Sequence, residues 1–300
     1  MEAGRIAGKR YKVVLDSVNG AGGKITKTLL AKLGCDVVAV NDEPTGIFAH
    51  EPEPTAANLT GLCWRVQQEQ ADLGFAQDPD ADRLAIVDEK GDYIGEEYTL
   101  ALAAQQVFSK QAGAAAANLS TSRMIDDVAR RFGGSVIRTP VGEAHVANAM
   151  TEHHCVIGGE GNGGVIDLRV GPIRDSLVGI ALVLRLMAET GKSIGQLVQE
   201  IGGYCMHKDK FPADASQARQ IQEMAIAKFD EATMNVSDGL RLDFPDGWIH
   251  LRTSNTEPVM RVIVEARDEP TARRYVQAVS DIRRSVLPRN ATAGEQATSP

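Results

Sequence analysis

The chain has 300 residues, a net charge of −8 and 43% hydrophobic residues. This length predicts two or three domains, and this apolar fraction is sufficient for hydrophobic cores. Since there is no Lys/Arg-rich stretch and no apolar run of about 18 residues, we expect neither a nucleic-acid partner nor a membrane span. The first residues lack a signal-peptide core and the four cysteines are dispersed, so we expect a cytoplasmic protein with reduced thiols.

The N-terminal segment begins as a βαβ unit. A strand at 12–16, a Gly-rich turn at 17–23, a helix at 24–33 and a strand at 35–40 follow in order. The turn glycines lack the GxGxxG spacing, so we interpret them as close packing of helix on strand. A nucleotide site at this turn is the alternative.

The next elements surround an acidic loop at residues 78–83. We expect a helix from Thr55 to about residue 70, short buried strands at 71–76 and 84–88, and a helix at about 96–109. Residues 111–117 are Ala-rich and have little pattern, so we place the first domain boundary at residue 111.

Two further segments follow. The second alternates helices and strands up to Gly202, with helices at 123–132, 143–153 and 176–189 and strands at 135–138, 156–158 and 165–168. The third is predicted to be richer in strands, at 204–210, 234–237, 240–244, 248–253 and 260–266, with helices at 216–229 and 271–285. The domain bounds are therefore 1–111, 112–202 and 203–288, and the polar residues 289–300 are predicted to be disordered.

The acidic loop, residues 78–83, has the sequence Asp-Pro-Asp-Ala-Asp-Arg. Its three carboxylates can converge in a tight turn, and hard oxygen donors suit Mg²⁺ or Ca²⁺. Arg83 suits a phosphate beside the metal. An EF-hand is a weaker alternative, because Arg83 stands where Gly is required and the flanks are strand-like. A solvated acidic turn is the remaining alternative.

Two other loops contain polar side chains that are suited to ligand binding. Residues 252–258, Arg-Thr-Ser-Asn-Thr-Glu-Pro, combine a guanidinium, hydroxyls and a turn suited to an anion nest, which favours phosphate binding over a plain hairpin loop. Residues 158–164 carry Glu160 and Asn162 on a glycine scaffold. These groups could bind sugar hydroxyls, although a surface turn is the alternative.

Together, in this order, the three loops resemble those of the α-D-phosphohexomutase family, which includes phosphoglucomutase, phosphomannomutase and phosphoglucosamine mutase. Residues 78–83 match its metal loop. Residues 159–163 are similar to its sugar loop, with Asn162 where Ser is usual, and residues 252–258 to its phosphate loop, with Asn255 where Gly is usual.

The resemblance implies roles for individual side chains. The metal ligands it implies for Mg²⁺ are Asp78, Asp80 and Asp82. The sugar and the non-transferring phosphate would be held by Glu160, Asn162, Arg252, Ser254, Asn255 and Thr256. Arg83 would lie beside the transferred phosphoryl group, and Glu143 and His145 are candidates for the general acid and base.

The resemblance also implies a fold and an activity. The family has four domains, and this chain is similar to the last three, namely two α/β domains with mixed sheets and a smaller α+β domain. We expect a mutase that interconverts hexose 1-phosphate and hexose 6-phosphate through a bisphosphate. No loop like the Thr-Ala-Ser-His-Asn-Pro phosphoserine loop occurs, so we expect a truncated chain that is inactive alone. A non-catalytic sugar-phosphate-binding fragment, or a partner of a separate catalytic domain, is the alternative, and the surface left by the missing domain could mediate self-association.

Overall fold

The computed structural model describes residues 3–254 and 257–287. The chain forms two compact units, Met1–Gly203 and Tyr204–Pro300. Among the residues described, no helix combines the length and the apolar character needed to cross a membrane.

The first unit begins with a four-stranded sheet. Its elements are α1 (Ala3–Ala7), β1 (Lys12–Asp16), α2 (Gly23–Lys32), β2 (Asp36–Val40), α3 (Thr60–Glu69), β3 (Leu73–Gln77) and β4 (Leu84–Val87). The strand order is β2-β1-β3-β4. β1 pairs in parallel with β2 and β3, whereas β4 is antiparallel to β3. Val13, Val14 and Leu15 of β1 are fully buried, as expected for a central strand covered on both faces.

A second sheet in this unit has the same topology. Its elements are α4 (Glu97–Phe108), β5 (Ala114–Asn118), α5 (Met124–Arg131), β6 (Ser135–Thr139), α6 (Glu143–Glu152), β7 (Ile157–Glu160), β8 (Gly164–Ile166), α7 (Ser176–Thr190) and α8 (Ile194–Ile201). The strand order is β6-β5-β7-β8, with β8 antiparallel to β7 and the other pairs parallel. Both sheets are therefore mixed, as the fold prediction states.

The sequence pattern predicts no strand or helix at residues 111–117, but the structure has a strand there. They contain most of β5, the strand that pairs with both β6 and β7. Alanine has a low strand propensity, so local pattern gives no signal there. The small side chains are nevertheless buried, and Ala116 packs in a core with Val146 and Met150 of α6.

Some helices differ from those predicted from the sequence. α3 begins at Thr60 instead of Thr55, because the amides of Asn58 and Leu59 bond to the Thr55 carbonyl in a preceding turn. The short helices α1 and α8 are not predicted by periodicity.

The second unit is an antiparallel sheet with two helices on one face. Its elements are β9 (Cys205–Pro212), α9 (Ala215–Lys228), β10 (Thr233–Asn235), β11 (Leu240–Phe244), β12 (Gly247–Thr253), β13 (Val259–Ala266) and α10 (Glu269–Val286). The strand order is β10-β11-β12-β13-β9. Leu242, Ile249 and Val264 form part of the core with the helices, which confirms the predicted smaller α+β domain. The predicted tail, residues 289–300, lies outside the described residues.

Candidate functional site

The acidic loop connects β3 to β4, and it brings the three predicted ligands together. Asp78 is buried, Asp82 is half-buried and Asp80 is exposed, and one oxygen from each lies within 4.8 Å of the others. Ala81 has a left-handed backbone, with φ of 60°, which turns the chain between Asp80 and Asp82. Since strands flank the loop on both sides, the EF-hand alternative is wrong.

The glycine turn after β1 packs directly on the acidic loop. A Cβ atom at Gly20 would lie 2.5 Å from the Pro79 carbonyl oxygen, and one at Gly22 would lie 2.7 Å from the Ala81 Cβ. These glycines allow two stretches of this chain to approach each other closely. The glycines therefore serve close packing, as predicted, but of one loop on another instead of a helix on a strand.

Arg83 anchors the most buried of the three carboxylates. Its amide donates to Asp78 Oδ1 at 3.0 Å and its Nε donates to Oδ2 at 2.6 Å. Burial alone would raise the pKa of Asp78, but these two bonds and the guanidinium charge hold it below its usual value. Burial and the adjacent Asp78 carboxylate raise the pKa of Asp82 to about 6.

The donor set fits a hard divalent cation. All three groups are carboxylates, which suit Mg²⁺ or Ca²⁺. Asp82 Oδ1 is buried, and no donor in the described part of the chain forms a hydrogen bond with it. Arg83 Nε is 3.7 Å from that oxygen. A buried oxygen of this kind requires a partner, and a cation held by the three aspartates would provide one.

Glu160 ends β7, the strand of the second sheet that is topologically equivalent to β3. Its side chain is only 4% exposed. Glu160 Oε1 accepts hydrogen bonds from Asn118 Nδ2 at 2.7 Å and from the Gly142 amide at 3.1 Å. The surface-turn alternative for Glu160 is therefore wrong. Asn162, which is half-buried, accepts from the Gly164 amide at 3.2 Å.

The acidic loop and the loop between β7 and β8 are neighbours. Arg83 and Gly164 form an isolated antiparallel bridge. The Leu84 amide donates to the Gly163 carbonyl at 3.1 Å. The structure thus joins two loops that lie about eighty positions apart along the sequence.

Arg174 joins the two loops, a role that the sequence does not assign to it. It lies between β8 and α7, and its guanidinium pairs with Asp82, with Glu160 Oε2 at 2.7 Å and with Glu143 Oε2 at 3.1 Å. In the sequence, Arg174 is visible only beside Asp175, which caps α7 by accepting from the Leu177 amide. That dipeptide indicates a helix start and does not reveal an arginine shared by three carboxylates.

The two acid/base candidates lie at the start of α6. Glu143 is the first residue of the helix and His145 is the third, and the His145 amide donates to the Gly142 carbonyl at 3.0 Å. Only Glu143 is joined to Arg174. The side chain of His145 is exposed.

The predicted phosphate loop belongs to the second unit, where it follows β12. Arg252 is half-buried, with Nε 3.3 Å from Asp238 Oδ2, and the Ser254 amide donates to the Val259 carbonyl at 2.9 Å. Asn255 and Thr256 lie outside the described residues.

A second arginine lies beside Arg252. Arg261 of β13 is its direct partner in the strand register, so the two side chains leave the sheet on one face. Like charges directly opposite one another destabilise a sheet. Asp238 pairs with Arg252, so the second arginine adds a net positive charge beside the loop. Arg261 could not be found from the sequence, because it becomes a neighbour of Arg252 only through the pairing of β12 with β13.

Family models cover most of the chain. Those for phosphoglucomutase/phosphomannomutase match it as α/β/α domain II at residues 1–91, α/β/α domain III at residues 95–204 and the C-terminal domain at residues 208–282. The chain belongs to the phosphoglucomutase/phosphomannomutase family, as the resemblance of the three loops predicts.

Known proteins agree with this assignment. A phosphoglucomutase/phosphomannomutase of Thermococcus kodakarensis is 39% identical over 274 residues, which are 90% of this chain and 60% of that relative. A phosphoglucomutase/phosphomannomutase family protein of Burkholderia thailandensis has a crystal structure with a TM-score of 0.83 and 27% identity, over 95% of this chain and 64% of that one. The N-acetylphosphoglucosamine mutase of Aspergillus fumigatus, in complex with GlcNAc-6P and magnesium, shares the fold at a TM-score of 0.68 and 15% identity, over 95% and 64% of the two chains. This chain thus spans about 60% of the length of the curated relative.

Proposed function

We propose that this chain supplies the metal-binding and substrate-binding parts of a phosphohexomutase that interconverts hexose 1-phosphate and hexose 6-phosphate through a bisphosphate. The proposal rests on the contact between the acidic loop and the loop that follows Glu160. The two loops are joined by the Arg83–Gly164 bridge and by the shared Arg174. A cation site next to a buried sugar-binding carboxylate suits phosphoryl transfer to a sugar hydroxyl.

The metal would be Mg²⁺, held by Asp78, Asp80 and Asp82. Bound there, it would neutralise negative charge on the phosphoryl group during transfer. Arg83, which is fixed by two bonds to Asp78, would place the rest of its guanidinium toward the phosphoryl oxygens.

Each unit supplies its own candidate substrate-binding residues. Glu160 would accept hydrogen bonds from sugar hydroxyls, and Asn162 Nδ2 would donate to them. Arg252 and Ser254, with Asn255 and Thr256 by resemblance to the family, would bind the phosphate that is not transferred, and the adjacent Arg261 would add positive charge. Glu143 and His145 are the proposed acid/base candidates at the sugar.

The phosphoryl carrier is not among these residues. The family mechanism passes the phosphate through a serine, and the 300 residues contain no loop of the phosphoserine type. We therefore propose that this polypeptide binds hexose phosphate but does not turn it over by itself. A sugar-phosphate-binding partner of a separate serine-bearing domain is the second candidate function. The expected cytoplasmic location and self-association stay predictions.

Calorimetric titration tests the proposed function. The chain should bind glucose 1-phosphate, mannose 1-phosphate or glucosamine 1-phosphate in the presence of Mg²⁺. Glucose and inorganic phosphate serve as controls, and each should bind at least tenfold more weakly than the preferred hexose phosphate. Failure of all three hexose phosphates to bind would refute the proposal.

A further inference from the structure

Arg174 interacts with acidic side chains from three separate elements. Asp82 belongs to the loop between β3 and β4, Glu160 ends β7 and Glu143 begins α6. We propose that Arg174 is a positioning residue that couples metal binding at the acidic loop to sugar binding at Glu160. This inference rests on the proposed function, since it assumes that both ligands bind.

The backbone around Arg174 is attached to both loops. The Asp175 amide donates to the Val165 carbonyl of β8 at 2.9 Å. Ser176 Oγ donates to the Ala81 carbonyl of the acidic loop at 2.6 Å and accepts from Gln77 Nε2 at 2.6 Å. A shift of either loop is therefore transmitted to the chain that carries Arg174.

The side chain of Arg174 is also confined. Only 19% of it is exposed. A Cβ atom at Gly164 would overlap its Cδ, so the aliphatic part of Arg174 covers the backbone at the start of β8. The guanidinium is thereby fixed between Asp82 and Glu160, because confinement of the stem restricts the positions that its head can reach.

The shared guanidinium determines whether one ligand strengthens or weakens the binding of the other. Sugar hydroxyls that donate to Glu160 would compete with Arg174 Nη1 for Oε2, the oxygen that it contacts at 2.7 Å. The guanidinium would then pair with Asp82 through Oδ2 alone, which holds the carboxylate in place and leaves the unpartnered Oδ1 for the cation. Sugar binding should therefore tighten metal binding, and by linkage the metal should tighten sugar binding to the same degree.

Mn²⁺ binding measured by electron paramagnetic resonance tests this coupling. The free Mn²⁺ signal gives the metal Kd of the 300-residue chain without and with saturating glucose 1-phosphate. We expect the ratio of the two Kd values to be about five or more in the wild-type chain and close to one in Arg174→Gln. Arg174→Lys should give an intermediate ratio, because an ammonium keeps the charge but lacks the planar fork that spans two carboxylates.

Arg169→Gln is the matched control. Arg169 lies on the same loop and pairs with Asp167, with Nε 2.9 Å from Oδ1, but it is 65% exposed and its pair is local. Its ratio should equal that of the wild type. If Arg174→Gln does not fold, Arg174→Lys carries the test, and a ratio equal to the wild type in that variant would overturn the inference.

The outcomes separate this inference from the proposed function. A wild-type chain that binds neither Mn²⁺ nor glucose 1-phosphate contradicts the proposed function. A wild-type chain that binds both with a ratio near one overturns the coupling alone, and so does a ratio that survives in Arg174→Gln.

Discussion

The amide of Ala21 donates a hydrogen bond of 2.8 Å to the carbonyl of Pro79, so the glycine turn after β1 directly supports the acidic loop. The turn is itself closed by a bond from the Gly20 amide to the Ser17 carbonyl at 2.7 Å. The position of the three aspartates therefore depends on a turn about sixty residues earlier in the chain.

Gly20→Ala should move the acidic loop. The added methyl group would lie 2.5 Å from the Pro79 carbonyl oxygen, and overpacking of this kind costs about 1–3 kcal/mol of unfolding free energy. We expect weaker Mg²⁺ binding by calorimetry and a lower midpoint in urea. Gly61→Ala is the control, since a Cβ atom there has no neighbour within 4 Å. Equal Mg²⁺ affinity in the two variants would show that the turn does not position the loop.

Asp80→Ala should abolish Mg²⁺ binding. Asp80 is the exposed member of the three aspartates, so its loss should leave the fold intact while removing one ligand. Binding by the wild type should itself be weak, because three carboxylates, one of them exposed, leave much of the coordination of Mg²⁺ to water. Asp230→Ala, at an exposed position of the second unit, should bind Mg²⁺ like the wild type. Binding by Asp80→Ala at wild-type affinity would place the metal elsewhere.

A half-buried glutamate of α7, which accepts a hydrogen bond from α4, is expected to make the unfolding free energy depend on pH. Glu189 lies 2.6 Å from Lys110 Nζ and 2.8 Å from Arg185 Nε, and it accepts from Gln106 Nε2 at 3.2 Å. Burial opposes ionisation, but these donors together lower the pKa of Glu189 from 4.5 to about 2.

Because the folded-state pKa of Glu189 is depressed, its contribution is present above about pH 4.5 and is lost as pH falls toward 2. With allowance for the exposure of Lys110, we expect Glu189→Gln to lower the unfolding free energy at pH 7 by about 1–2 kcal/mol. Urea denaturation at pH 7 and pH 3 should show this difference shrinking at the lower pH. A difference that is the same at both values would contradict the assignment.

The 300-residue chain should show no mutase turnover. Transfer through an enzyme-bound phosphate requires a nucleophile, and the acidic loop supplies only ligands. A coupled assay with each hexose 1-phosphate and a bisphosphate activator should therefore give no signal above background. Turnover at about 1–10³ per second would mean that another group carries the phosphate, and Ser120, Ser122 and His145 would be the first to replace.

The sequence predicted those elements and loops whose characteristic residues are neighbours along the chain. The alternating carboxylates of residues 78–83 and the Arg-Thr-Ser run at 252–254 are such signals, and the flanking strands of both loops were found to within a few residues. β5 was missed because a run of alanines shows neither alternation nor strand propensity. Its identity depends on burial between two neighbouring strands.

The neighbours of Arg174 and Arg261 could not be predicted, because each residue acquires them through the fold. Asp82 is 92 positions away from Arg174, and the contact exists because two sheets of the same topology meet at the Arg83–Gly164 bridge. Arg261 faces Arg252 through strand register alone. Residues of this kind become visible only when the pairing of the strands is known.

The most direct test of the central claim is calorimetric titration of Arg252→Ala with the preferred hexose 1-phosphate in the presence of Mg²⁺. The account predicts a loss of about 1.5–3 kcal/mol in binding free energy, the range for hydrogen bonds to charged groups. Arg273→Ala, which removes a side chain that is 75% exposed on α10, should bind like the wild type. An unchanged Kd in Arg252→Ala would contradict the account, since the phosphate would then be held elsewhere.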